Sequence, residues 1–139
     1  MIINRRLLQT IAVMAVLVSQ ITPAAFSQER EDFRSKIEKA KQLYDKALYP
    51  ASYKEITEAL SEARSSSLSE YADAEALAVL CAIEMQMPNS EGLVSEYLTK
   101  YPYSSEKETI LLRQAAYYFN LQDYVRSFEI LSSINQNSL

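Results

Sequence analysis

The side chains in this chain that could do chemistry are few: two close acidic pairs, one thiol and a tyrosine doublet. Asp73/Glu75 and Glu106/Glu108 are carboxylate pairs of the kind that can share general acid and base work. A separation of two residues, however, turns their side chains to different sides of a helix, so both pairs are predicted to be solvated faces. Cys81 could act as a nucleophile only if it were exposed beside a positive group that lowers its pKa. It stands inside the apolar run Ala76 to Ile83, which predicts a buried, unreactive packing role. Tyr117-Tyr118 has the look of a stacking platform for a base or sugar, but Tyr118 falls on the apolar side of its helix and is expected in the core. There is no histidine, which removes the usual general base, the usual zinc ligand and the switch near neutral pH. A single cysteine makes neither an internal disulfide nor a thiolate cluster. The reading is therefore a non-enzyme with no catalytic, cofactor-binding or metal-ligating residues and no cofactor.

The elements that must carry these residues are helical. The 139 residues fit one domain, 48% of them are apolar, and there is a single glycine. Sheets need turns, and turns of that kind need glycine, so an all-α fold is predicted.

Residues 1–27 read as an address. Arg5 and Arg6 form a positive head, Leu7 to Ile21 is a largely apolar run, Pro23 breaks it, and Ala25-Phe26-Ser27 supplies a small-x-small exit before Gln28. This is the pattern of a secretory signal peptide cut between Ser27 and Gln28. The apolar run is short for a membrane span and is interrupted by Gln9, Thr10, Ser19 and Gln20, so no stable span is expected after processing. No cysteine stands at the cleavage point, so a lipid anchor there is not expected. Loss of Arg5 and Arg6 with the leader leaves 12 basic against 18 acidic residues in 28–139, a net charge of −6. That balance disfavours nucleic acid and anionic membrane as partners, which both call for a basic face. An exported, periplasmic protein is the expectation.

Within 28–139, apolar residues recur at helical spacing in six segments. The first, Gln28 to Ala47, places Phe33, Ile37, Ala40 and Tyr44 on one face. Pro50 suits the first turn of the second helix, which carries Ile56 and Ala59 and dissolves at Ser65-Ser66-Ser67. Ser67-x-x-Glu70 is a capping box opening the third, whose middle is apolar on all sides and must lie between neighbours. Pro88-Asn89-Ser90 caps a short fourth helix bearing Val94 and Tyr97. Ser105-x-x-Glu108 is a second capping box, opening a fifth helix with Leu111, Ala115 and Tyr118. The sixth runs from Asp123 to about Ile134 through Tyr124, Phe128 and Leu131.

These helices pair into hairpins with a common skeleton. Tyr49-x-x-Ser52-x-x-x-Ile56-x-x-Ala59, Met87-x-x-Ser90-x-x-x-Val94-x-x-Tyr97 and Tyr124-x-x-Ser127-x-x-x-Leu131-x-x-Ile134 share bulky, small and bulky positions at the same spacing. The pattern resembles the second helix of the tetratricopeptide repeat (TPR), in class more than in identity: serine stands where alanine is usual, and the first helices lack the family's tryptophan. The resemblance implies a TPR-like α-solenoid of about three repeats and six helices, in units of about 30–66, 67–103 and 104–139. It is similar in order to the N-terminal part of large exported TPR proteins of Gram-negative bacteria.

Through that resemblance, the concave face of the first helices is the expected ligand surface. It carries Ile37, Lys41 and Tyr44 in the first unit, Glu75, Val79 and Ala82 in the second, and Leu112, Ala116 and Phe119 in the third. The implied function is a helical-repeat scaffold that binds a protein or peptide, with cell-envelope assembly as a setting by analogy. A self-associating structural element, or the N-terminal piece of a longer array, is the alternative. Solenoids close their last apolar face with a polar helix, and no such helix follows the sixth here, so that face is expected to be uncovered.

Overall fold

The computed structural model describes residues 23–63 and 67–136, and all regular secondary structure within them is helical. The helices are α1 (Pro23–Asp45), α2 (Tyr49–Glu62), α3 (Leu68–Glu84), α4 (Ser90–Lys100), α5 (Lys107–Asn120) and α6 (Tyr124–Gln136). Residues 1–22, which hold most of the expected leader, lie outside the described residues. Pro23 is the first described residue of α1, and the apolar run it is expected to end lies outside the described residues. Ser27 and Gln28 consequently sit within a continuous helix, both exposed.

Consecutive helices pack as antiparallel neighbours, α1 on α2, α3 on α4 and α5 on α6, and the first helices also touch in the order α1, α3, α5. The connections explain the pairing. Ala47, Gln86 and Gln122 all have positive φ (56°, 54° and 62°), and each ends the first helix of its hairpin. In all three turns the N–H of the positive-φ residue donates three residues back, to Tyr44, Ile83 and Phe119. The next N–H donates five residues back, to Leu43, Ala82 and Tyr118. That is the Schellman pattern, which satisfies carbonyls orphaned at a helix end. The middle turn is one residue tighter: its serine follows the positive-φ residue by four positions, where Ser52 and Ser127 follow by five.

The three serines of the skeleton, Ser52, Ser90 and Ser127, are all buried. At the first, the Ser52 hydroxyl donates to the Ala40 carbonyl at 2.8 Å and the Cys81 thiol donates to Ser52 at 3.3 Å. One small polar side chain thus joins α1, α2 and α3 where they meet, and its hydrogen bonds offset the cost of burying it. Burial pushes the Cys81 thiol pKa up, which keeps it protonated and a donor.

The core has two parts joined through α3. Phe33, Ile37, Ala40, Ile56, Leu77 and Cys81 form one, and Val79, Leu80, Ile83, Val94, Tyr97 and Ile110 the other. Between Ala76 and Ile83 every residue but Ala78 is buried, as expected of a helix with neighbours on all sides.

The helix starts differ in how they are capped. Ser67 and Glu70 form the capping box reciprocally: the Glu70 N–H donates to Ser67 Oγ at 3.3 Å and the Ser67 N–H to Glu70 Oε2 at 3.0 Å. The box expected at Ser105/Glu108 does not form. Helix α5 starts after Glu106, and Ser104 is the residue used: its hydroxyl accepts from the Glu106 N–H at 3.0 Å and pairs with the Tyr97 hydroxyl at 2.6 Å. Asn89 precedes α4 without a side-chain cap.

Candidate functional site

The residues that sequence spacing proposes for the concave face do not share one environment. Ile37 and Val79 are buried, each in a different part of the core, and Ala82 is fully buried. Ile37 and Val79 offer little surface to a partner, since Ile37 packs with Leu77 and Cys81 of α3 and Val79 lies with Tyr97 at the floor of the space between α2 and α4. Tyr44 is half-buried and packs against both parts of the core; its hydroxyl donates to Glu84 Oε1 at 3.3 Å. Burial raises its phenol pKa to about 12, with the Glu84 carboxylate adding to the effect. Arg113 reaches the same Glu84 oxygen at 3.6 Å. Tyr44, Glu84 and Arg113 therefore link the three first helices by a polar chain. Glu75 pairs with Lys100 at 2.6 Å, tying α3 to α4. Lys41 is exposed.

The remaining three, Leu112, Ala116 and Phe119, are exposed and lie on one side of α5 at a spacing of four and three. The opposite side of the helix is spent on the core: Ile110 and Tyr117 join α3 and α4. Tyr118 is buried, its ring held 5.3 Å from the Arg126 guanidinium, whose Nη1 donates to the phenol at 3.4 Å. The tyrosine doublet is thus a packing and anchoring device, with the Tyr117 and Tyr118 rings edge to face at 5.3 Å.

The exposed side of α5 runs on into α6. The Phe119 and Tyr124 rings meet edge to face at a centroid distance of 5.3 Å, and Tyr124, Val125, Phe128 and Leu131 are exposed in turn. Phe119 is 59% exposed, Tyr124 56% and Phe128 70%. Tyr124 and Leu131 are expected from the repeat skeleton to face inward, as Ile56 and Val94 do. They do not, because among the described residues the α6 backbone packs against α5 alone. In the first two hairpins the corresponding second helix lies next to α3.

Other concavities lie elsewhere among the described residues. A groove of about 660 Å³ runs between the start of α3 and the α4–α5 loop, past Leu68, Ala72, Lys100, Tyr101 and Tyr103. A smaller one of about 200 Å³ separates α2 from α4 over α3, lined by Tyr53, Leu60, Val79 and Tyr97. Another, about 370 Å³, lies between the start of α1 and the end of α2, beside Phe33 and Lys36. Of the acidic pairs, Asp73 is exposed while Glu75 is engaged by Lys100. Among the described residues no group of three or more histidine, cysteine or acidic side chains is placed to hold a metal. No helix of the described residues is long and apolar enough to cross a membrane.

Comparison with protein-family models, with curated proteins and with solved structures finds no match for this chain.

Proposed function

We propose that the chain is a TPR-like helical-repeat scaffold, exported to the periplasm, that binds another polypeptide. The observation that carries the reading is the continuous apolar face of the last hairpin, formed by Leu112, Ala116 and Phe119 on α5 and Tyr124, Phe128 and Leu131 on α6. Contiguous exposed apolar surface of that kind marks an interaction site. The same hydrogen-bond pattern in all three turns and the three buried serines that follow them, four residues on in the middle hairpin and five in the others, support the repeat reading. The positive head, apolar run and small-residue exit of residues 1–27 support export. The acidic balance of residues 28–139 favours a polypeptide over nucleic acid. Relative to the concave face inferred from resemblance, the binding surface is narrowed to the last hairpin, because Ile37 and Val79 are taken up in the core.

The test is a quantitative pull-down from envelope extract with the full chain and with Phe119→Glu. A charge at this exposed position leaves the core untouched and should deplete the polypeptides the face holds. Equal recovery of every species with both baits would sink the reading.

A further inference from the structure

We infer that the polypeptide received by the α5–α6 face is a second copy of this chain, docked face to face about a two-fold axis. This rests on the reading of that face as a protein-binding surface and names its occupant. Two hairpins within the chain already show what such a face packs against. The α1–α2 hairpin is covered by α3 and the side of α3 next along the row is covered by α5, in each case by a helix of this same chain. The α5–α6 hairpin has the same kind of apolar side, and a second copy brings a surface of matching chemistry to it.

Charge and area both fit a self-complementary contact. In a two-fold interface each residue near the axis meets its own counterpart, so a charged centre would repel itself. The centre here is uncharged. The basic and acidic residues of α6, Arg126 and Glu129, lie off the apolar stripe, and Arg126 is occupied by Tyr118, Asp123 and Glu91. Ala116 lies between Leu112 and Phe119 on α5, and its small side chain lets two α5 helices approach across the axis. At 150–250 Å² per ring, the exposed fractions of Phe119, Tyr124 and Phe128 alone leave roughly 280–460 Å² of surface per copy. A pair would bury roughly 560–930 Å² through the rings, and Leu112, Ala116 and Leu131 of each copy bring this to about the 1,000 Å² that a specific interface requires.

Sedimentation velocity of the full chain from about 1 to about 100 μM tests this, alongside Phe128→Glu and with circular dichroism to establish that helicity is unchanged. Phe128 is exposed in the single chain, so glutamate there does not disturb its core. The expected result is a concentration-dependent dimer for the wild type, with association weakened at least about tenfold by the substitution. A wild type that stays monomeric throughout overturns the inference, and so does a variant that associates as tightly as the wild type, which would place the contact elsewhere. The oxidation of Ala116→Cys supplies an independent measure: a disulfide-linked dimer is expected, and its absence in a sample that sediments as a dimer overturns the proposed axis. Failure here is distinct from failure of the binding reading. A monomeric chain whose Phe119→Glu form still loses a different polypeptide in the pull-down keeps the face as a binding site and removes only the second copy as its occupant.

Discussion

Glu70 does two jobs with one carboxylate: Oε2 accepts from the backbone N–H and hydroxyl of Ser67, and Oε1 is 2.5 Å from Arg34 on α1. The backbone hydrogen bond from Ser67, with help from Arg34, lowers its pKa from 4.5 to about 2. A carboxyl whose folded pKa is depressed adds stability above its unfolded pKa and loses it as pH falls through the folded value. Stability from this cap should therefore be complete above pH 4.5 and drain away towards pH 2. In Glu70→Gln the amide can still serve the capping box but does not titrate. Urea unfolding of both proteins across that range should show a wild-type advantage of about 1 kcal/mol near neutrality that vanishes as the acid limit is approached. A gap that stays constant with pH would show that the carboxylate charge does not contribute. This cap was legible in the sequence because a capping box is strictly local, a serine and a glutamate three residues apart. The burial of Ile37 and Val79 was not, because which side of a helix faces outward depends on where its neighbouring helices come to rest against it.

At the scale of elements, six helices and their pairing could be read from apolar spacing and proline, since both act within a few residues of their own position. Their ends could not. Each hairpin turns through a left-handed residue, the position glycine usually fills, yet alanine or glutamine stands there, so no turn signal marks it. The left-handed conformation costs a side-chain-bearing residue about 1–2 kcal/mol, while glycine costs up to about 1 kcal/mol more unfolded-chain entropy. Gln122→Gly should therefore stabilise the last hairpin by about 0.5–1 kcal/mol, read as a higher urea midpoint at unchanged slope. A destabilised variant would mean that the Gln122 side chain makes a contact worth more than the strain. The α5 start shows the same limit from the other side: Ser105 and Glu108 have the right spacing, but Tyr97 fixes Ser104, and a tertiary hydrogen bond decides where the helix begins.

For the molecule as a whole, the order of packing sets an order of stability. Helix α3 packs against α1, α2, α4 and α5, whereas among the described residues the α6 backbone packs against α5 alone. Local opening costs more where more apolar contact must be broken, so protection from hydrogen exchange follows that ranking. The ion pairs between hairpins follow it too: Arg34–Glu70 joins the first to the second and Arg113–Glu84 the second to the third, whereas Arg126 binds α6 back to the start of α4 only through a 3.9 Å approach to Glu91. Exposed pairs such as these add at most about 1 kcal/mol each, so they cannot replace the missing apolar cover over α6. In dilute solution, amide exchange followed by mass spectrometry should find α3 the slowest region and α6 the fastest of the six helices. Raising the concentration into the range where two chains meet should slow exchange in α5 and α6 while leaving α1 and α2 unchanged, because only the last hairpin gains cover. Protection of α6 equal to that of α3 at high dilution would contradict the packing order on which both the exposed face and its occupant depend.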